Sequence, residues 1–168
     1  MVDAVHTSHF PIPTAQELHH KFAGSDRFSK LNMNHAFFQL PMDEEVQKLY
    51  IFYTTKGLYK FNTLVQGASS ASGETHERIR KILVGLEGVV QIKDDLAVHG
   101  KGVEHDHRLE AVLKRLSNHR LTLNRDKCEL GRTSIEWFGN IFSAQGMSKD
   151  PCCVEAIRSL KTPRTRRE

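Results

Sequence analysis

The sequence predicts an α+β domain in which an antiparallel sheet is covered by helices on one face. Two short apolar stretches at 89–92 and 96–98 flank three polar residues, the pattern of a β-hairpin. Apolar residues also recur at helical spacing in two stretches: Ile79, Ile82, Leu83 and Leu86, and then Leu109, Val112, Leu113 and Leu116. With 168 residues, 39% of them hydrophobic, the chain is long enough to form one such domain. Strands and helices in this mixture favour the α+β class.

The first helix is predicted to begin after Thr14. Residues 1–13 contain two prolines and are expected to be irregular. Thr14 is followed three residues later by Glu17, the spacing of a capping box, and Gly24 is a natural helix end. Apolar side chains at helical spacing between these two signals complete the prediction.

The remaining elements follow from periodicity and turn signals. Further helices are predicted over 70–86, along the apolar stripe of 109–116, and after Asp150, where aspartate and proline form a typical N-terminus. Strands are predicted from β-branched and aromatic content and from short apolar runs at 28–33, 49–54, 58–64, 89–92, 96–98, 121–123 and 135–142.

Composition excludes several classes of protein. No apolar run approaches the roughly 20 residues of a membrane span, and no secretory signal is visible, so an intracellular location is predicted. The cysteines, Cys128, Cys152 and Cys153, are odd in number and are expected to be reduced thiols. The net charge of +4 permits nucleic-acid binding, and the tail over 158–168 is basic.

Asp94 and Asp95 are the strongest candidates for chemistry. Two adjacent acids at a hairpin tip repel each other, and a divalent cation such as magnesium would relieve that repulsion. A polar turn without function is the alternative, because aspartate is common in turns. His99, His105 and His107 lie close together in sequence, and solvated loop histidines are favoured over a zinc site.

Five segments in order resemble those of reverse transcriptases, and within that family the gypsy-type polymerases of LTR retrotransposons. The resemblance runs from about residue 11 to residue 157. The segments are FSKLNMNHAFFQLP at 28–41, LVQGASSAS at 64–72, IKDD at 92–95, LNRDKC at 123–128 and WFGNIFSAQG at 137–146.

The resemblance implies a polymerase palm, an antiparallel sheet backed by helices, with part of the fingers. Its implied activity joins deoxynucleoside triphosphates to a primer on an RNA or DNA template, with two magnesium ions roughly 4 Å apart. Asp94 and Asp95 match the metal-binding turn, and Met33, Phe37 and Gln66 match residues beside the nucleotide. The hairpin that would hold primer and template corresponds to Trp137, Phe138, Gly139 and Asn140.

This chain departs from the family pattern at several positions. Asn32 replaces the first metal-bridging aspartate, and an amide offers one neutral oxygen where a carboxylate offers two with a full charge. Arg120 occupies the position of a helix-ending glycine, where a positive φ is expected to cost about 1 kcal/mol. Because the magnesium site is left incomplete, impaired or absent catalysis is predicted.

The predicted organisation is an entry segment at 1–13 on the fingers side, a reverse transcriptase-like palm at 14–157 and the basic tail. Most of the fingers and the thumb have no counterpart, so a retroelement fragment is expected. Two alternatives to a polymerase remain: a nucleic-acid-binding remnant without catalysis, and a pseudogene product without a role. Salt-dependent binding without magnesium-dependent extension would identify the binding remnant.

Overall fold

A computed structural model describes residues 12–67 and 70–160 of the chain. Its helices are α1 (Ala15–Phe22), α2 (Glu44–Gln47), α3 (Ala71–Leu83), α4 (Val103–Asn118) and α5 (Pro151–Arg158). Its strands are β1 (Arg27–Asn32), β2 (Ile51–Thr54), β3 (Gly57–Lys60), β4 (Val89–Ile92), β5 (Asp95–Gly100), β6 (Glu129–Arg132), β7 (Ser134–Trp137), β8 (Asn140–Ser143) and β9 (Gly146–Lys149). Nearly all of the predicted segments 1–13 and 158–168 lies outside the described residues.

The strands form antiparallel sheets, which confirms the α+β class. The main sheet has four strands in the order β4-β5-β1-β6. A hairpin of β2 and β3 stands apart from it, and β7, β8 and β9 form a three-stranded sheet. In β1 and β5 the register pairs Arg27 with Gly100 at one end and Asn32 with Asp95 at the other. This register brings two distant parts of the sequence together at one edge of the main sheet.

Two apolar cores cover the two faces of the main sheet. On one face Leu31 and Val98 pack with buried residues of α3 and α4, including Ile79 and Val112. On the other face lie Phe28, Val90, Ala97, Phe22 of α1, and Ile135, Trp137 and Phe142 of the three-stranded sheet. The prediction of helices on one face was therefore incomplete, because α1 and the three-stranded sheet cover the other.

Several local signals are confirmed. Thr14 caps α1: its hydroxyl accepts a hydrogen bond from the Glu17 N–H, and the Glu17 carboxylate accepts from the Thr14 N–H at 2.7 Å. Asp150 caps α5 by accepting from the Cys152 N–H at 2.9 Å. Arg120 has the expected positive φ, 57°. All three cysteines are free thiols.

Other boundaries were wrong. The stretch 121–123 is no strand, since Leu123 makes a single bridge to Met33. The stretch 135–142 is divided between β7 and β8 by a turn in which Phe138 and Gly139 have φ values of 50° and 69°. β3 is shorter than predicted and ends at Lys60, and β6 and β9 were not predicted. No described helix is long and apolar enough to cross a membrane.

Candidate functional site

The β4–β5 hairpin presents the two aspartates at its tip. Ile92 pairs with Asp95, so Lys93 and Asp94 form the two-residue turn, and Lys93 has a φ of 56°. The Gln91 side chain donates to the Lys93 carbonyl at 3.0 Å and to the His76 carbonyl at 3.1 Å, which ties the turn to α3. The predicted turn is confirmed, and it makes Asp95 the first residue of β5.

Asn32 lies directly opposite Asp95 on the neighbouring strand. The Asn32 Nδ2 donates a hydrogen bond of 2.8 Å to the Asp95 Oδ1. The following residue is fixed as well, because the Met33 N–H donates to the Asp94 carbonyl at 3.3 Å. The sheet register therefore places Asn32 beside the two aspartates with which it was grouped from the sequence.

The backbone of Asn32 is held from the other side by a loop after α4. Its carbonyl accepts from the Asn124 N–H at 2.8 Å, and its N–H donates to the Cys128 Sγ at 3.4 Å. Cys128 is a half-buried free thiol beside β1.

A cavity of about 220 Å³ opens at this edge of the sheet. It is lined by Asn32, Met33, Asn34, His35, Ala36, Phe37, Gln66, Asp94, Asn124 and Lys127. Five of the residues singled out from the sequence, Asn32, Met33, Phe37, Gln66 and Asp94, therefore share one cavity.

Two of the residues that line the cavity, Ala36 and Phe37, belong to a 3-10 helix at Ala36–Gln39. Phe37 packs partly into the core, whereas Phe38 is 44% exposed. The Gln39 amide fastens this helix to the loop after α4: its oxygen accepts from the Thr122 N–H at 2.6 Å, and its nitrogen donates to the Thr122 carbonyl at 3.1 Å. Of these two neighbouring rings, one therefore lies against the core and the other is exposed.

Sequence reasoning gave no role to Asn34, Asn124 or Lys127, which also line the cavity. Asn124 and Lys127 lie inside the matched segment at 123–128, so that segment was the available signal. Lys127 brings a positive charge to the cavity that holds Asp94.

The donor set at this edge does not fit a two-metal centre. No group of three histidine, cysteine, aspartate or glutamate side chains able to hold a metal ion occurs within 12–67 and 70–160. Asp94 and Asp95 supply two carboxylates, and Asn32 turns its N–H₂ group toward one of them. Magnesium prefers oxygen donors, most often carboxylates, so the neutral amide leaves the set incomplete.

The four residues predicted to hold primer and template lie on the three-stranded sheet and do not line the cavity. The Trp137 side chain is buried, with 1% exposed, and belongs to the apolar core on that face of the main sheet. Asn140 is buried and accepts from the Lys149 Nζ at 2.8 Å. Phe138 is 52% exposed at the turn beside Gly139, and a stacking role there stays a prediction.

The expectation of solvated histidines was wrong for two of the three. His105 is fully buried, with its Nε2 2.9 Å from the Ser29 Oγ and its Nδ1 2.9 Å from the Asp106 Oδ1. His99 is half-buried with its Nδ1 2.9 Å from the Ser25 Oγ, and burial, with the nearby charge of Arg108, lowers the pKa of His99 to about 4. Both imidazoles are structural.

The fold matches that of solved reverse transcriptases. A foamy viral protease-reverse transcriptase in complex with double-stranded DNA superposes with a TM-score of 0.86 and 18% sequence identity, over 97% of this chain and 29% of that one. A structure of the foamy viral enzyme in complex with an RNA/DNA hybrid matches 83% of this chain and 19% of that one, with a TM-score of 0.75 and 20% identity.

The chain belongs to the reverse transcriptase (RNA-dependent DNA polymerase) family, whose model matches residues 2–142. An uncharacterised Caenorhabditis elegans protein is 27% identical over 154 residues, which are 91% of this chain. The Transposon Tf2-3 polyprotein of Schizosaccharomyces pombe is 26% identical over 162 residues, which are 95% of this chain. The chain spans 12% of the length of each of these two relatives.

Proposed function

We propose that this chain is the palm, with part of the fingers, of a gypsy-type reverse transcriptase, and that it binds template-primer but transfers nucleotides weakly or not at all. The observation that carries the proposal is the cavity shared by Asn32, Met33, Phe37, Gln66 and Asp94. In this cavity, the positions that lie beside the nucleotide in the family occur together with an asparagine at position 32, where nucleotide transfer most needs a carboxylate.

The proposed loss of nucleotide transfer follows from the absence of a negative charge on the side chain at position 32. Joining a deoxynucleotide to the primer hydroxyl releases pyrophosphate, and negative charge develops on the transferred phosphoryl group. Asn32 contributes no charge, and its amide occupies one oxygen of Asp95. Losing several kcal/mol of electrostatic stabilisation slows a reaction by about 10²–10⁴-fold or more.

Recognition of substrate depends less on that charge. The half-buried ring of Phe37 forms one wall of the cavity, in the position of the gate against a ribose 2′-hydroxyl. Gln66 lines the same cavity and is exposed, so its amide is accessible to the incoming nucleotide or the template base. Lys127 supplies a cation for phosphate groups in the same space. Binding without turnover is therefore the second candidate function.

Primer extension on an RNA template tests the catalytic part. Wild-type protein is compared with Asn32→Asp in magnesium and in manganese, and about 10²-fold faster extension by the variant is expected. Asn34→Asp is the matched control, because it adds the same charge to the cavity at a position that is not paired with Asp95 across the sheet. In N32D protein, the further change Asp94→Asn should abolish the gain. Equal extension by wild type and N32D would contradict the proposed impairment.

Fluorescence anisotropy with a labelled template-primer tests the binding part. Affinity that falls linearly with the logarithm of salt concentration, in a wild type that does not extend the primer, supports a binding module. Lys127→Ala should weaken binding and reduce the salt slope by about one. Absence of binding by wild type and N32D alike would refute both candidate functions.

A further inference from the structure

The contact between Asn32 and Asp95 does more than remove a carboxylate from the site. Asp95 carries an acceptor-only carboxylate, so the N–H₂ end of the Asn32 amide is the end that must face it. At 2.8 Å this is a short hydrogen bond to a charged group, which is among the stronger kinds. The two strands are thus joined at their catalytic end by an attractive side-chain pair.

An aspartate at position 32 would reverse the sign of this contact. The register pairs the two positions directly across β1 and β5, and like charges directly opposite each other destabilise a sheet. Two carboxylates as close as the side chains of positions 32 and 95 need a cation or a shared proton between them. Without either of them, such a pair lowers the stability of the sheet.

Other contacts at this edge fix the geometry without a cation. The Asn32 carbonyl accepts from the Asn124 N–H at 2.8 Å, and the Met33 N–H donates to the Asp94 carbonyl at 3.3 Å. The Cys128 Sγ accepts a hydrogen bond from the Asn32 N–H at 3.4 Å. The backbone of position 32 and the N–H₂ group of its side chain therefore both have partners within the chain.

The same hydrogen bond opposes cation binding. To offer its oxygen to a metal shared with Asp95, the Asn32 amide would have to rotate, which gives up the 2.8 Å bond and turns one acceptor toward another. We infer that in this chain the hydrogen bond from Asn32 to Asp95 takes the place of the bridging cation, so that the centre is assembled in the absence of divalent metal.

The inference deepens the proposed function and rests on it for the meaning of the site, but its test needs neither nucleic acid nor turnover. Thermal unfolding of the full chain is followed by circular dichroism in magnesium and in EDTA. We expect the same midpoint for wild type in both solutions. Asn32→Asp should melt about 2–4 °C lower in EDTA and recover in magnesium.

Two further variants separate charge from hydrogen bonding. Asn32→Ala removes the donor without adding a charge, so its midpoint should fall equally in both solutions. Asn34→Asp adds a carboxylate to the cavity without a register partner and should show no recovery in magnesium. A wild-type midpoint that rises with magnesium as much as that of N32D overturns the inference. If N32D does not fold, wild type and N32A decide: the inference stands if magnesium moves neither midpoint and falls if magnesium stabilises wild type.

Discussion

Arg120 ends α4 in a conformation that disfavours its own side chain. The Arg120 N–H donates to the Ser117 carbonyl at 2.9 Å, and the Leu121 N–H donates to the Leu116 carbonyl at 2.9 Å. This pair of bonds is the Schellman motif, which places the residue after the C-cap in the left-handed region. Leu116 and Leu121 are both buried and make the apolar contact typical of the motif. The motif is complete, but its left-handed position carries an arginine with a φ of 57°.

The replacement Arg120→Gly should stabilise the protein. The left-handed conformation costs a non-glycine residue about 1–2 kcal/mol. Glycine removes that cost but adds about 0.4–1 kcal/mol of conformational entropy to the unfolded chain. The Arg120 side chain is exposed, so little packing is lost. The expected net gain is about 0.5–1 kcal/mol, which raises the midpoint temperature by about 1–4 °C in a domain of this size.

Urea denaturation measures the gain as a higher transition midpoint with an unchanged slope. Arg120→Ala is the control for the side chain, since it removes the guanidinium and keeps the unfavourable φ. His119→Gly is the control for position, because His119 has a φ of −94° and should lose stability when replaced by glycine. If Arg120→Gly is no more stable than Arg120→Ala, the strain at this position has been misjudged.

Two other predictions concern stability. The lowered pKa of His99 means that folding favours the neutral imidazole, so this contribution is complete above about pH 6.5 and is lost as the pH falls toward 4. Urea midpoints measured across that range should fall more steeply for wild type than for His99→Asn, and parallel curves would contradict the prediction. Gly88→Ala should destabilise by more than about 2 kcal/mol, because a Cβ there would lie 2.6 Å from the His99 carbonyl oxygen and φ is +65°. Gly85→Ala, with φ +82° and open space, should cost only about 1 kcal/mol, and equal losses in urea denaturation would argue against the close contact.

Elements with local signals could be predicted from the sequence. The hairpin of β4 and β5 has apolar stretches on both sides of its turn, and the Thr14 cap has its partner three residues away. β6 has no such signal: its apolar residue, Leu130, is 54% exposed, and the strand exists because it pairs with β1. The turn at Phe138 could not be predicted from the sequence, because the residue that adopts a positive φ there is an apolar aromatic one.

The candidate site was predictable only in part, because its contacts are long-range. Asn32 and Asp95 are 63 positions apart, and nothing in the residues themselves fixes the register that joins them. The resemblance to reverse transcriptases supplied that link. The wrong expectation for His105 has the same cause. His105 was expected in solvent, but it is buried and its contact with the Ser29 hydroxyl spans 76 positions of the sequence.

Under the proposed function, an asparagine at position 32 separates the stability of this fold from its chemistry. Asparagine has nearly the shape of aspartate, so neither of the two cores, which hold the sheet together, is disturbed by the change. Only one contact differs between the two residues. An aspartate at position 32 would repel Asp95, whereas Asn32 donates a hydrogen bond of 2.8 Å to it. The folded state is therefore expected to tolerate an amide at this position, whereas the proposed phosphoryl transfer, which would depend on concentrated charge there, is not. Arg120 shows the opposite case, a residue that costs the fold stability but lies outside the contacts that hold Asn32 and Asp95. Under the proposed function, a chain with Asn32 and Arg120 is expected to fold well enough to bind template-primer without transferring nucleotides.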